Sequence, residues 1–459
     1  MHALALPEAI DPEAAALRLA GDPGLCWLDG DSAHRDGRFS FAASCPVERV
    51  RERWPASDPF AALARLDTGS ALDDAPCTLA GAPSPARVPR YVGYVAYDAC
   101  LASRGLPARG RIGKPVLNFA RYDAVAAFDL VARRGFVLGD DRAACERLYE
   151  RLMSAPHALG PARLRDATFR PASEHLAAIA TALEHIARGD VYQVNLAREL
   201  RAQLTGAPLA LFQALRRAST VPLGMYYDDG ERVIAARTME CFLHWDRTSR
   251  VLRTRPIKGT LARTDEPTAA GDAALAATLT ADEKERAEHA MIVDLMRNDL
   301  SRVAELGSVH LSGVFEVEPF ARLLHLVSTV ACTTRPEVGL RDVLEATFPP
   351  GSVTGAPKLA AVALIEALEA VPRDVYTGAL GFVDRTGGLS LAVAIRTALI
   401  EGQAVRYFAG GGIVEASNPE RELRETELKA RVLLDAGDLL ELSEPVGAQE
   451  NLGTRSFLR

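Results

Sequence analysis

Five lysines stand among 53 basic residues, and four of them fall between positions 258 and 429. Wherever a bare positive charge serves, this chain uses arginine. Arginine keeps its proton under ordinary conditions, whereas a lysine amine is tunable into a nucleophile or a base. Lys258, in Arg255-Pro256-Ile257-Lys258-Gly259-Thr260, is therefore either a working amine or a chance survivor at the surface. Acidic residues offer a second chemistry. Glu422, Glu425 and Lys429 share one helical face at i, i+3 and i+7, and Glu288, with His289 beside it, lies on another long helical segment. Three carboxylates from two helices would suit Mg²⁺, a hard ion that takes oxygen ligands. The same spacing equally describes an exposed Glu425–Lys429 ion pair worth about 0.3–0.5 kcal/mol.

Two glycine-bearing segments are candidates for holding an anion. Gly410-Gly411-Gly412 lies between an apolar strand-like run and a helix, where glycine permits close backbone approach or a tight turn. Residues 351–358, Gly-Ser-Val-Thr-Gly-Ala-Pro-Lys, fail the phosphate-loop pattern, and Pro357 lacks an N–H donor. Nucleotide binding is therefore not expected there. Thr354 and nearby backbone N–H groups still stand before a helix start, a place that favours anions.

The elements that must position these residues follow from periodicity. Helices are expected over residues 174–189 and 281–305, from about Pro357 to Leu368, and from Ser417-Asn418-Pro419-Glu420 onward. In the last of these, Ser417 and Glu420 have capping-box spacing and Pro419 fits the first turn. Strand-like runs cover 25–28, 39–41, 90–97, 232–236, 376–383, 389–400 and 404–409. Strands in groups with helices between the groups indicate an α+β fold. Pro/Gly/Ala-rich stretches at 73–90 and 154–173 are expected connections, the second dividing the chain into a 1–155 region and a 170–437 region, with 438–459 as a tail.

Composition excludes several classes. With 48% hydrophobic and 25% charged residues among 459, and mean hydropathy of +0.01, the chain has ample core material. Net charge of −7 leaves no nucleic-acid footprint. The arginines at 247, 250, 253 and 255 fit a solvated strand edge better than an anion patch. No apolar run approaches the roughly 18–20 residues of a membrane span. The start lacks the basic, then apolar, pattern of a signal peptide, so a cytoplasmic protein is expected. Seven scattered cysteines, with no C-x-x-C pair, suit a reducing compartment and argue against a zinc site.

Eight stretches in order resemble the chorismate-utilising enzymes, a family that includes anthranilate, aminodeoxychorismate, isochorismate and salicylate synthases. They are GDVYQVNLAREL (189–200), RPIKGTLAR (255–263), ERAEHAMIVDLMRNDLSRV (285–303), LLHLVSTV (323–330), FPPGSVTGAPK (348–358), YTGALGFV (376–383), AIRTA (394–398) and GGGIVEASNPERELRETELKA (410–430). The resemblance implies two packed antiparallel sheets flanked by helices, with the active site between them. It assigns Glu288, Glu422 and Glu425 to Mg²⁺, with the ion bridging to the C1 carboxylate of chorismate. Arg396 and Tyr376 match positions that hold the pyruvyl ether carboxylate. Thr260, His325, Thr354, Gly411 and Lys429 match other pocket positions. Glu240 matches a general acid for loss of the C4 hydroxyl, although its neighbours here are Thr238 and Met239 where the family has Ser-Pro.

Two positions choose a reaction within the family. Isochorismate and salicylate synthases resemble this chain but carry a lysine base where it has Gln193, and an amide is no base. Ammonia, not water, is the expected nucleophile. Pro-Ile-Lys-Gly-Thr resembles aminodeoxychorismate synthase component I, whereas anthranilate synthases have alanine at the place of Lys258. The expected reaction is amination of chorismate at C4 through a covalent Lys258 intermediate, toward 4-aminobenzoate and folate. Anthranilate synthesis and a non-catalytic chorismate-binding subunit are the alternatives. Cys26-Trp27-Leu28-Asp29 replaces the Leu-Leu-Glu-Ser of a tryptophan feedback pocket, so that regulation is not expected. No glutamine amidotransferase domain is recognisable, so a separate subunit is expected to deliver ammonia.

Overall fold

The computed structural model describes residues 1–67, 81–102, 110–263, 268–320 and 323–437; Cys77 and the expected 438–459 tail lie outside them. The described strands form two sheets, of twelve and ten strands, in which every pairing is antiparallel. This is the expected α+β arrangement of two packed antiparallel sheets with flanking helices. Strands from before residue 155 fill one side of each sheet. Cys26–Asp29 pairs with Leu223–Asp228 in the larger sheet, and Pro89–Val95 pairs with Ala379–Asp384 in the smaller.

Three large cores among the described residues hold the layers. Leu28, Phe41, Met225 and Ile234 of the larger sheet meet Val92, Tyr94, Leu380 and Ala392 of the smaller, while Phe41 and Phe382 meet edge-on at 5.9 Å. The larger sheet's outer face packs against helices Pro12–Leu19, Arg142–Leu152, Pro208–Ala218 and Pro419–Ala436. The smaller sheet's outer face packs against Glu283–Ser301 and Leu340–Thr347, while Ala172–Ala187 and Lys358–Leu368 lie on the long Gln193–Thr205 strand of the larger sheet and join the same core. None of the described helices is long and apolar enough to cross a membrane.

Local chemistry sets the helix that carries Glu288. The Asp282 carboxylate accepts from Glu285 N at 3.0 Å, and Glu283 and Glu285 place negative charge in the first turn. A separate helix, Ala269–Ala281, precedes it, so the expected 281–305 helix is confined to Glu283–Ser301. The Pro419–Ala436 helix begins differently from expectation. Its cap is Asn418, whose Oδ1 accepts from Arg421 N at 3.0 Å, and Ser417 Oγ instead donates to Glu422 at 2.8 Å.

The expected 389–400 strand is two strands. Leu389–Val393 belongs to the smaller sheet and Thr397–Glu401 to the larger, and the chain changes sheets at residues 394–396. Arg396 makes that turn at φ of 49°. A second crossing runs beside it, where Met239-Glu240 joins Val233–Thr238 to Cys241–Asp246. Val393 N donates to Glu240 O, and Arg237 N to Arg396 O, each at 3.0 Å. Both crossings deliver a candidate site residue, Arg396 and Glu240, to the seam between the sheets.

The Arg253 and Arg255 pair is also corrected. Val251–Arg255 is an interior strand between Cys241–Asp246 and Leu323–Thr333, and buried Arg255 is ion-paired to Asp36 and Glu318.

Candidate active site

One wall is built on Ile257–Ala262. Its ladder with Leu323–Thr333 is irregular between Lys258 and Thr260, where Gly259 takes a φ of +63° that L side chains avoid. The bulge re-aims Lys258 out of the ladder's alternation. Thr260 Oγ1 lies 3.1 Å from His325 Nδ1, which is also 3.3 Å from the Gly259 carbonyl. Burial, reinforced by the Arg396 charge, pushes His325 down to about 4, so its ring is neutral near pH 7. Its buried Nε2 has no hydrogen-bond partner among the described residues.

The facing wall is the long strand Gln193–Thr205 with Ala404–Ile413 alongside. The three glycines lie inside Ala404–Ile413, paired through Gly412↔Asn195, Gly411↔Leu196 and Gly410↔Ala197. They are thus strand residues and not a strand-to-helix turn. Crowding explains them. A Cβ on Gly412 would lie 2.4 Å from Gln193 Nε2 and 3.2 Å from Lys258 Nζ. On Gly411 it would lie 3.0 Å from Glu422 Oε2, and on Gly410 3.0 Å from the Tyr376 hydroxyl. Gly412 therefore brings the Gln193 amide and the Lys258 amine to one place. Both amide atoms of Gln193 are buried and unpartnered among the described residues. Such groups are rare without a ligand or water to satisfy them.

Electrostatics prepare the amine and the acid. Burial holds the Lys258 ammonium below the ordinary lysine range; the Lys429 charge adds to this, and Glu288, Glu240 and Glu285 oppose it. Part of the side chain stays accessible while the amine end sits deep. Glu240, 5% exposed, is pushed by burial up to about 7, against the pull of a Ser352 hydrogen bond, the Lys258 charge and the Ile257 N–H. A carboxyl half-protonated near neutrality is suited to general acid work.

Tyr376 is buried, stacked on Phe408 at 5.3 Å, with its hydroxyl toward Gly410. Arg396 has no ion-pair partner among the described residues although burial lowers its basicity. An arginine does not surrender its proton, so this is a half-buried cation suited to a carboxylate. Thr354 is fully buried, and its Oγ1 donates to Pro350 O at 2.6 Å.

The acidic residues gather in part. Glu422 and Glu425 both approach Gly411, and Lys429 Nζ bonds Glu425 at 2.5 Å and the Gly410 carbonyl at 2.8 Å. Glu288 stands on the opposite helix, 3.9 Å from Lys284 Nζ. Glu422 is pushed up by burial and by Glu425, and the Lys284 charge reaches it too. Among the described residues, no three acidic, histidine or cysteine side chains are drawn together closely enough to hold an ion as they stand. The donor set nonetheless fits a hard dication. It is all carboxylate, carries excess negative charge, and two lysine amines now lean on it.

Glu285, which sequence reasoning passed over, belongs to this group. It lies one turn before Glu288, is raised by burial and by Glu288, and feels the Lys258 charge. Its i, i+3 spacing to Glu288 was the available signal. Ser352, bonded to Glu240, left none. His289 is buried away from the acids, with Nε2 2.7 Å from Ser328 Oγ. A separate cavity of about 190 Å³, lined by Asp98, Lys114, Arg201, Asp374 and Arg406 among others, shares no residue with this site.

An amine of lowered basicity, an acid raised toward neutrality and a guanidinium without an ion pair among the described residues thus stand at the seam between the two sheets. The chain belongs to the chorismate binding enzyme family, whose pattern matches residues 27–435. It is 40% identical over 275 residues to the aminodeoxychorismate synthase of Streptomyces griseus, covering 60% of this chain and 37% of that protein. The chain thus spans little more than a third of that relative's length. It is also 37% identical to anthranilate synthase component 1 of Streptomyces coelicolor, covering 95% of this chain and 88% of the other. The structure is similar to anthranilate synthase component I from Streptococcus pneumoniae, with a TM-score of 0.74 at 30% identity over 86% of this chain and 92% of that one. The menaquinone-specific isochorismate synthase from Escherichia coli shares the fold, with a TM-score of 0.71 at 20% identity over 95% and 94% of the two chains.

Proposed function

We propose that this chorismate-utilising enzyme aminates chorismate at C4 to give 4-amino-4-deoxychorismate, with Lys258 as covalent nucleophile. One observation carries the reading: the Lys258 amine, its basicity lowered by burial, meets the unpartnered Gln193 amide over Gly412. In the first step the neutral amine bonds to C2, both ring double bonds shift, from C1=C2 and C5=C6 to C6=C1 and C4=C5, and the C4–O bond breaks. The hydroxyl leaves as water with a proton from Glu240. Ammonia then bonds to C4, both double bonds shift back, and the C2–N bond breaks to release Lys258. The proton lost by the incoming nitrogen returns to Glu240. Splitting the substitution in two avoids one difficult displacement.

Arg396 and Tyr376 hold the pyruvyl ether carboxylate in this reading, while Thr260, His325, Thr354, Gly411 and Lys429 line the rest of the pocket. Glu288, Glu422 and Glu425 would hold Mg²⁺, which supplies positive charge for the ring carboxylate. Glutamine-derived ammonia would come from a separate amidotransferase subunit, in the cytoplasm, for 4-aminobenzoate and folate synthesis.

The second reading is anthranilate synthase component I, favoured by the relatives that match this chain over most of their length. Purified protein with chorismate, Mg²⁺ and ammonium separates the two. The expected product becomes 4-aminobenzoate only when an aminodeoxychorismate lyase is added. Anthranilate fluorescence without lyase would overturn C4 amination, and tight chorismate binding without turnover would indicate a non-catalytic subunit.

A further inference from the structure

Three segments carry pocket residues from different parts of the chain: Gln193 on the long strand, Thr354 before the Lys358–Leu368 helix, and Tyr376 in the turn after it. One buried guanidinium touches all three. Arg373, 1% exposed, donates from Nη2 to Asn195 O at 2.7 Å and from Nη1 to Val353 O at 3.1 Å. Nη1 also donates to Thr377 Oγ1 at 3.1 Å, and Thr377 Oγ1 donates in turn to Tyr376 O at 2.6 Å. The remaining N–H groups go to Glu369, from Nε at 2.8 Å and from Nη2 at 2.6 Å. All five donors are used, which is the full capacity of the fork.

The partner is tied to the pocket as well. Glu369 Oε1 accepts from Ala197 N at 2.9 Å, two residues beyond Asn195. Asn195 N donates to Thr354 O at 2.8 Å, so the strand and the 350–354 loop are also joined directly. The 374–377 turn needs holding: Asp374 and Thr377 have φ of 57° and 60°, where non-glycine residues are strained. Thr377 N bonds Ala394 O at 2.8 Å, which extends the connection to the crossing that presents Arg396. The guanidinium also lies 5.9 Å from the Tyr376 ring centroid and 4.9 Å from that of Tyr97.

We infer that Arg373, braced by Glu369, is a positioning residue that sets the spacing of Gln193, Thr354 and Tyr376 around the substrate. This rests on the reading that those three residues line the chorismate pocket. Its geometry is not interchangeable with lysine, whose three donors radiate from one point and cannot serve five acceptor contacts in a plane.

The test compares Arg373→Lys with Arg385→Lys in the full chain. Arg385 is equally buried and bonds Asp140 together with the Tyr122 and Asp123 carbonyls, none of which belongs to a segment that carries a pocket residue. Both variants are expected to lower Tm. Only Arg373→Lys is expected to raise KM for chorismate, with kcat/KM falling about 10²-fold, the cost of displacing reacting groups by about 1 Å. Equal KM in both variants and wild type would overturn the inference, leaving Arg373 as structural as Arg385. If Arg373→Lys does not fold, Glu369→Gln carries the test. It retains an acceptor but loses the charge, so its Tm is also expected to fall; with KM measured well below that Tm, a raised KM relative to Arg385→Lys supports positioning, and an unchanged KM overturns it. Wild-type protein that neither binds nor converts chorismate would instead sink the functional reading itself.

Discussion

Two charged regions lie close together on the two sheets and treat their charges oppositely. Around Asp29 every charged group has a protein partner. Asp29 accepts from Arg237 Nη1 at 2.6 Å and from Arg216 Nε at 3.0 Å, and Arg216 Nη1 reaches Glu13 at 3.0 Å. Arg237 Nε and Nη2 also donate to the Ser219 carbonyl, at 3.1 and 2.8 Å. Around Lys258 the polar groups are as deeply placed, yet the Gln193 amide and His325 Nε2 have no partner, and Arg396 has no ion pair among the described residues. Burying polar groups unpaired costs free energy that pairing would offset. The first region has the form of closed structure. The second has the form of a site whose missing partners arrive with the substrate.

The comparison breaks most visibly at Lys258. Lys258→Ala is expected to reduce 4-amination by about 10³-fold or more, as removal of a covalent nucleophile does. Its Tm should hold or rise, because a desolvated amine has been removed. With C2 then open to ammonia, anthranilate is expected in the product mixture, read by fluorescence and chromatography. Undiminished 4-amination would end the nucleophile assignment. Asp29→Asn should behave in the opposite way. Removing the carboxylate charge leaves buried Arg237 poorly compensated, so unfolding free energy should drop by about 3–5 kcal/mol, measured by urea denaturation. KM for chorismate should stay at the wild-type value. A raised KM at unchanged stability would show that the Asp29 network serves the pocket and erase the distinction.

These contrasts were only partly legible in the sequence. The acidic residues, Lys258 and Gln193 stand in local motifs, so their types and spacing could be read directly. The helices that carry them were legible because amphipathic period and first-turn acids are local signals. The sheet crossing at Arg396 was not. Residues 389–400 have the alternation of one strand, and only the pairing partners, near 241–246 and 233–236, divide it between two sheets. Gly410, Gly411 and Gly412 look like a turn for the same reason, since the side chains that crowd them come from Gln193, Tyr376 and Glu422. At Ser417 two capping side chains compete, and Ser417 is drawn away by Glu422. Arg255 seemed solvated because its acids, Asp36 and Glu318, are far away in the sequence. Glu285 is the exception: its spacing to Glu288 was local and was missed.

The smallest effect tests whether burial without a strong partner leaves its mark on Glu240. Its carboxyl is raised from 4.5 to about 7 in the folded protein, chiefly by burial. A raised pKa means the folded state holds its proton at pH values where the unfolded state has lost it. The stability associated with Glu240 is therefore fully present below about pH 4.5 and is lost as pH rises through about 7. Glu240→Gln cannot ionise, so it escapes that loss. Relative to wild type, the variant should gain unfolding free energy as pH goes from about 5 to about 8, approaching about 3 kcal/mol for a shift of this size. Urea denaturation of both proteins at the two pH values gives the difference directly. A difference that does not change with pH would mean that Ser352, Lys258 and the Ile257 N–H already satisfy the carboxylate. Glu240 would then belong with Asp29, among the paired charges, and the general acid would have to be sought elsewhere in the pocket.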